Sequence, residues 1–71
     1  MTFISRLQYL VSEGFTVYAV VARSRLGGWF LRAGFYDQEG NCDWLKANYI
    51  DRQVFERDLA QAMEYVTEEL S

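Results

Sequence analysis

The chain has no histidine and no proline, and Cys42 is its single cysteine. Each absence removes a class of support or function. One thiol cannot form an internal disulfide, and without histidine the usual Cys/His donor set for zinc is missing. Cys42 also lacks the imidazole that activates a catalytic thiol, and no serine lies in a Gly-x-Ser-x-Gly elbow. Leu26-Gly27-Gly28 is followed by no Lys-Ser/Thr pair, so it is not a phosphate loop. Asp37, Glu39, Asn41 and Asp43 alternate oxygen ligands across a loop, yet an EF-hand places glycine at its sixth position and a bidentate glutamate at its twelfth. Counted from Asp37, those places hold Cys42 and Asn48. The chain therefore reads as non-catalytic, with no metal and no cofactor. Long apolar runs are missing too. Stretches such as Phe15 to Ala22 fall far short of the ~20 residues that a membrane helix needs. A lone cysteine and no leader pattern point to a cytoplasmic setting and no membrane.

What is present is apolar and aromatic. Hydrophobic residues make up 51% of the chain and charged ones 24%, which places it among globular rather than disordered sequences. Its 71 residues make a single domain, residues 1–71, near the lower limit for a self-sufficient core. Such a core supplies only ~3–5 kcal/mol, and small proteins commonly add disulfides, metals or association. With the first two excluded, association remains, and a homodimer is the expectation. The net charge of −3 is unevenly spread. Residues 1–36 carry four arginines against Glu13, a net +3, whereas residues 37–71 carry three cations against nine acids, a net −6. Such asymmetry can steer a partner.

Thr2 suits the N-cap of a helix over roughly residues 3–13, with Phe3, Ile4, Leu7, Leu10 and Val11 at helical spacing and Gly14 as its stop. From Phe15 to Arg25 the β-branched content predicts a strand. Leu26-Gly27-Gly28 is a turn, Trp29 to Tyr36 a second strand, Asp37 to Asn41 a hairpin loop, and Cys42 to Tyr49 a third strand. Asp51 then caps a second helix, with Ile50 placed to staple onto Phe55. The stripe Phe55, Leu59, Ala62, Met63, Val66 and Leu70 predicts an amphipathic helix of about five turns. Glu64, Glu68 and Glu69 near its end oppose the helix dipole and mark an acidic patch. The expected fold is α+β: an N-terminal helix, a three-stranded antiparallel meander and a C-terminal helix, αβββα.

Alternation along the strands assigns two faces. Val17, Ala19 and Val21, with Leu31, Ala33 and Phe35, and with Leu45, Ala47 and Tyr49, form the one that helices should cover. The other carries Tyr18, Val20 and Ala22, with Phe30, Arg32, Gly34 and Tyr36, and with Trp44, Lys46 and Asn48. That second face is nearly as aromatic as the first, and surplus large apolar surface marks a place where something binds. Either the first helix crosses to it, or a partner does. Tyr18, Phe30, Arg32, Tyr36, Trp44 and Lys46 are the candidate binding residues. Tyr, Trp, Phe and Arg are the residues that protein interfaces enrich, which favours a protein partner. Stacking on single-stranded nucleic acid is the weaker alternative, since the chain is acidic and has no RNP-type run.

The order αβββα, in a short chain that opens Met1-Thr2-Phe3-Ile4 and later holds Thr16-Val17-Tyr18, is similar to small phage-encoded anti-CRISPR inhibitors. The resemblance implies a non-catalytic inhibitor in the host cytoplasm that docks on a bacterial CRISPR-type defence complex or another host protein, with Tyr18 matching an exposed strand tyrosine; a host housekeeping homodimer is the alternative. The chain departs from that pattern at Arg6, where an early helix tyrosine is expected; Tyr9 lies one turn on.

Overall fold

The computed structural model describes residues 2–66. Helix α1 spans Phe3–Ser12, and Thr2 caps it by accepting the Ser5 N–H on its hydroxyl at 3.1 Å. It stops at Gly14, whose φ of +95° suits glycine alone. The Gly14 N–H bonds to the Val11 carbonyl at 3.1 Å and the Phe15 N–H to the Leu10 carbonyl at 3.0 Å. That pair of bonds is a Schellman cap.

Strands β1 (Thr16–Arg25), β2 (Gly28–Tyr36) and β3 (Cys42–Tyr49) follow, paired antiparallel in the order β1-β2-β3. In the second hairpin the Asp37 carboxylate accepts the N–H groups of Glu39 and Asn41, each at 2.9 Å, and the Asn41 side-chain amide at 3.1 Å. Those bonds, led by the Asn41 N–H, hold the Asp37 carboxyl below the usual carboxylate range. Both Asp37 carboxylate oxygens thus serve the turn. Helix α2, Arg52–Glu64, is capped by Asp51, which accepts from Gln53 and Val54. The architecture is αβββα, an α+β fold, as the sequence predicts.

Both helices lie on one side of the sheet. Phe3, Ile4 and Leu7 of α1 meet Phe55 and Ala62 of α2 over Val17, Leu31, Ala33 and Leu45. The molecule is 18 Å across its thinnest direction, room for one helix layer and one sheet. Phe55 is held between Trp29, stacked at 6.0 Å between ring centroids, and Tyr49, edge-on at 5.9 Å. The Tyr49 hydroxyl donates to the buried Asp58 carboxylate at 2.7 Å, joining β3 to α2. Burial first, and then the Asp58 carboxylate, push the Tyr49 phenol above its ordinary range.

Four expectations are corrected. The parity of β1 breaks at a β-bulge: Val17 lies opposite Phe35 but Ala19 opposite Gly34, leaving Tyr18 as an extra residue. Beyond it every side chain changes sides. Val20 packs against the core and Ala22 shares its side, while Ala19 and Val21 turn outward. The second helix is shorter than five turns, because Val66 leaves the helical path to pair with Val17 at the edge of β1. Met63 is not part of the buried stripe; it is 57% exposed. Ile50 is 90% exposed and makes no staple, since the aromatic rings of Trp29 and Tyr49 already hold Phe55. Leu70, Glu68 and Glu69 lie outside the described residues.

Candidate functional site

With α1 and α2 on the same side, no described element covers the other face of the sheet. The bulge decides what that face presents. Two residues of β1, Tyr18 and Ala19, stand against one residue of β2, Gly34. The Tyr18 ring lies over Gly34, where an added methyl would sit 2.8 Å from Tyr18 Cζ and 3.0 Å from Trp44 Cζ3. Glycine at 34 is thus the seat on which both rings rest.

From that seat the side chains form one continuous row. Tyr36 packs on Tyr18 with centroids 5.9 Å apart, and Tyr18 meets Trp44 at 5.8 Å in an edge-to-face arrangement. The Arg32 guanidinium carbon lies 5.1 Å from the Trp44 ring centroid and 5.5 Å from that of Phe30. Arg25 then lies over the far end, 5.6 Å from the Phe30 centroid. Aromatic pairs of this kind contribute ~0.5–1.5 kcal/mol beyond their burial, and exposed cation–π contacts ~0.5–1 kcal/mol. The rings therefore close partly on one another, and Tyr18, Phe30, Tyr36 and Trp44 are each half-buried rather than fully exposed.

The structure brings five of the six sequence-predicted site residues into this row: Tyr18, Phe30, Arg32, Tyr36 and Trp44. The sixth, Lys46, is paired in register with Arg32 and stands exposed beside it on the same face. Arg25 joins them, and Arg23, opposite Phe30, adds a further cation. No aspartate or glutamate occupies a position of this parity on any of the three strands. The two ion pairs among the described residues, Arg52–Glu56 and Arg57–Asp58, both belong to α2. Arg23, Arg25, Arg32 and Lys46 thus form a basic patch in an acidic chain. The Arg32 Nε is buried and donates to nothing, a condition that ordinarily costs ~1–3 kcal/mol.

Sequence reading missed the role of Gly34, which needed the bulge to be known. It also missed Leu26, fully exposed at the hairpin tip beside Arg25, and the buried Asp58. Cys42 is exposed and its thiol makes only a weak bond, 3.6 Å to the Gly40 carbonyl. Among the described residues no three His, Cys, Asp or Glu side chains gather as metal ligands would. A groove of about 530 Å³ lies on the helix side, between the start of α1, the end of β3 and α2. Its polar floor is the Tyr49–Asp58 pair, which is spent on joining two elements. No helix among the described residues is long and apolar enough to cross a membrane.

No family model matches the chain, and neither a curated protein nor a solved structure does so.

Proposed function

We propose that this chain is a non-catalytic protein-binding module that docks through the open face of its sheet. The observation that carries the reading is the unbroken row Tyr36–Tyr18–Trp44–Arg32–Phe30–Arg25, set on a face that no described element covers. Aromatic and arginine side chains dominate the binding energy of protein interfaces, and here they are already ordered by one another before any partner arrives. Preorganisation of this sort reduces the entropy lost on docking. The similarity to phage anti-CRISPR proteins adds a setting: an inhibitor acting in the host cytoplasm, its target a bacterial defence complex.

The expected homodimer is less well supported on this face than on composition. A two-fold pairing on this face would bring two basic patches into one interface, and only an offset that sets the cations against the rings of the second copy avoids like-charge repulsion. Light scattering in the tens of micromolar tests it: twice the monomer mass of 8.3 kDa supports the homodimer, and the monomer mass removes it.

The test compares capture by three variants with capture by the native chain from a bacterial lysate. A partner held by the native chain and by Met63→Ala on the helix side, but released by Tyr18→Ala and by Trp44→Ala, supports the reading. Equal retention by all four removes the open face as the docking surface. Circular dichroism on each variant excludes loss of fold as the cause.

A further inference from the structure

We infer that the partner presents an acidic protein segment, its carboxylates received by Arg32 and the cations that flank it. The inference rests on the open face being the docking surface and adds the chemistry of what docks there. Four cations stand on that face with no acid among them, although the whole chain carries −3. The remainder of the molecule is therefore at −7, and the charge has been sorted by side rather than spread. Unneutralised arginines on a preformed surface are matched by an anion.

A single-stranded nucleic acid would also supply negative charge, but it binds such sheets by stacking bases on free ring faces. Here the rings are already engaged. Arg25 and Arg32 both lie over Phe30, Arg32 also lies over Trp44, and Tyr18 is packed between Trp44 and Tyr36. An arginine held against a ring has lost part of its rotamer freedom before binding, and a guanidinium takes a carboxylate through paired N–H donors. The Arg32 Nε is enclosed where the guanidinium lies between Phe30 and Trp44, so the terminal Nη groups are the donors left for a carboxylate. A short segment alternating Glu with apolar residues would give carboxylates to the arginines and side chains to the ring edges.

The probes are a fluorescein-labelled peptide alternating Glu and Leu, the same peptide with Gln for Glu, and a labelled thymidine oligonucleotide of equal length, each followed by anisotropy at rising salt. The Glu peptide is expected to bind about tenfold more tightly than the Gln peptide, as loss of interfacial charge pairs predicts. That advantage should shrink with salt. Arg32→Gln should remove most of it, and Lys46→Gln part of it, with circular dichroism unchanged. Equal binding of the Glu and Gln peptides would overturn the inference, as would tighter binding of the oligonucleotide or no binding by any probe. If these fail while Tyr18→Ala and Trp44→Ala still release the captured partner, the docking face stands and only its partner's acidity is wrong. If the variants also retain the partner, both readings fall together.

Discussion

On one face of the sheet Leu31, Ala33 and Leu45 are sealed by two helices; on the other, Phe30, Arg32 and Trp44, drawn from the same strands, are sealed only by one another. Both faces arise from the same alternation of side chains. The covered face is aliphatic, and its rings sit at the margins. On the open face Tyr18 meets Trp44 edge to face and Tyr36 at a tilt, and arginines lie over Phe30 and Trp44, which leaves each ring half-buried. The contrast shows that a large apolar side chain can leave water without entering a core. A row of rings and guanidinium groups manages it in a single layer, and remains available to a partner.

The largest expected effect separates the two faces. Leu31→Ala or Leu45→Ala removes a buried side chain beneath the helices and should cost ~2–5 kcal/mol, enough to unfold a domain this small. Tyr18→Ala and Trp44→Ala should cost ~1–2 kcal/mol, the loss of one or two aromatic contacts, and leave a folded protein. Denaturant titration followed by circular dichroism reads both. Equal losses would mean that the open face is as much core as the covered one.

Gly34→Ala sharpens the same comparison from within the row. The new methyl collides with the Tyr18 and Trp44 rings, and overpacking of this kind costs ~1–3 kcal/mol. Made in a Tyr18→Ala background, the substitution should cost less, because the nearer of the two rings that it strikes is gone. A double-mutant cycle showing plain additivity would refute the seat that Gly34 provides.

On the covered side, Tyr49→Phe removes a hydrogen bond to the Asp58 carboxylate, worth ~1.5–3 kcal/mol for a charged acceptor. Its pH dependence has a definite sign. The phenol is raised in the fold, so its proton is held more tightly there than in the unfolded chain. The contribution is complete below the ordinary tyrosine range and declines as pH climbs past it toward the folded value. The gap between the native chain and Tyr49→Phe should therefore narrow in alkali.

The smallest effect belongs to the hairpin loop, which serves neither face. Asp37 is lowered in the fold, so its contribution is present at neutral pH and lost as acid protonates it through the folded value. Thermal melts of Asp37→Ala and the native chain should differ at neutral pH and converge in strong acid. A constant gap would mean that the loop is held by something other than that carboxylate.

The elements themselves were legible because their signals are local. Thr2 and Asp51 cap helices through bonds to N–H groups two or three residues on, Gly14 ends α1 by its own φ, and Asp37 folds its loop within five residues. Order and pairing followed from short connections, and the open-face residues of β2 and β3 followed from parity. The faces of Ala19, Val20, Val21 and Ala22 did not. A bulge is a mismatch between two strands, and nothing in β1 alone records that Tyr18 will have no partner. The end of α2 was hidden for a similar reason: Val66 continues the helical stripe in sequence, but the free edge of β1 at Val17 draws it away.

By itself, then, the sequence determined which segments become helix and strand, that three strands form a meander, and that one side of it carries Phe30, Arg32, Tyr36, Trp44 and Lys46. Only the tertiary structure decided that both helices take the same side, because that choice depends on how Phe3, Ile4, Leu7, Phe55 and Ala62 pack together rather than on any one helix. It decided, too, that the Arg32 guanidinium lies over the Phe30 and Trp44 rings. A guanidinium finds its place only when strands distant in sequence bring Phe30 and Trp44 to either side of Arg32.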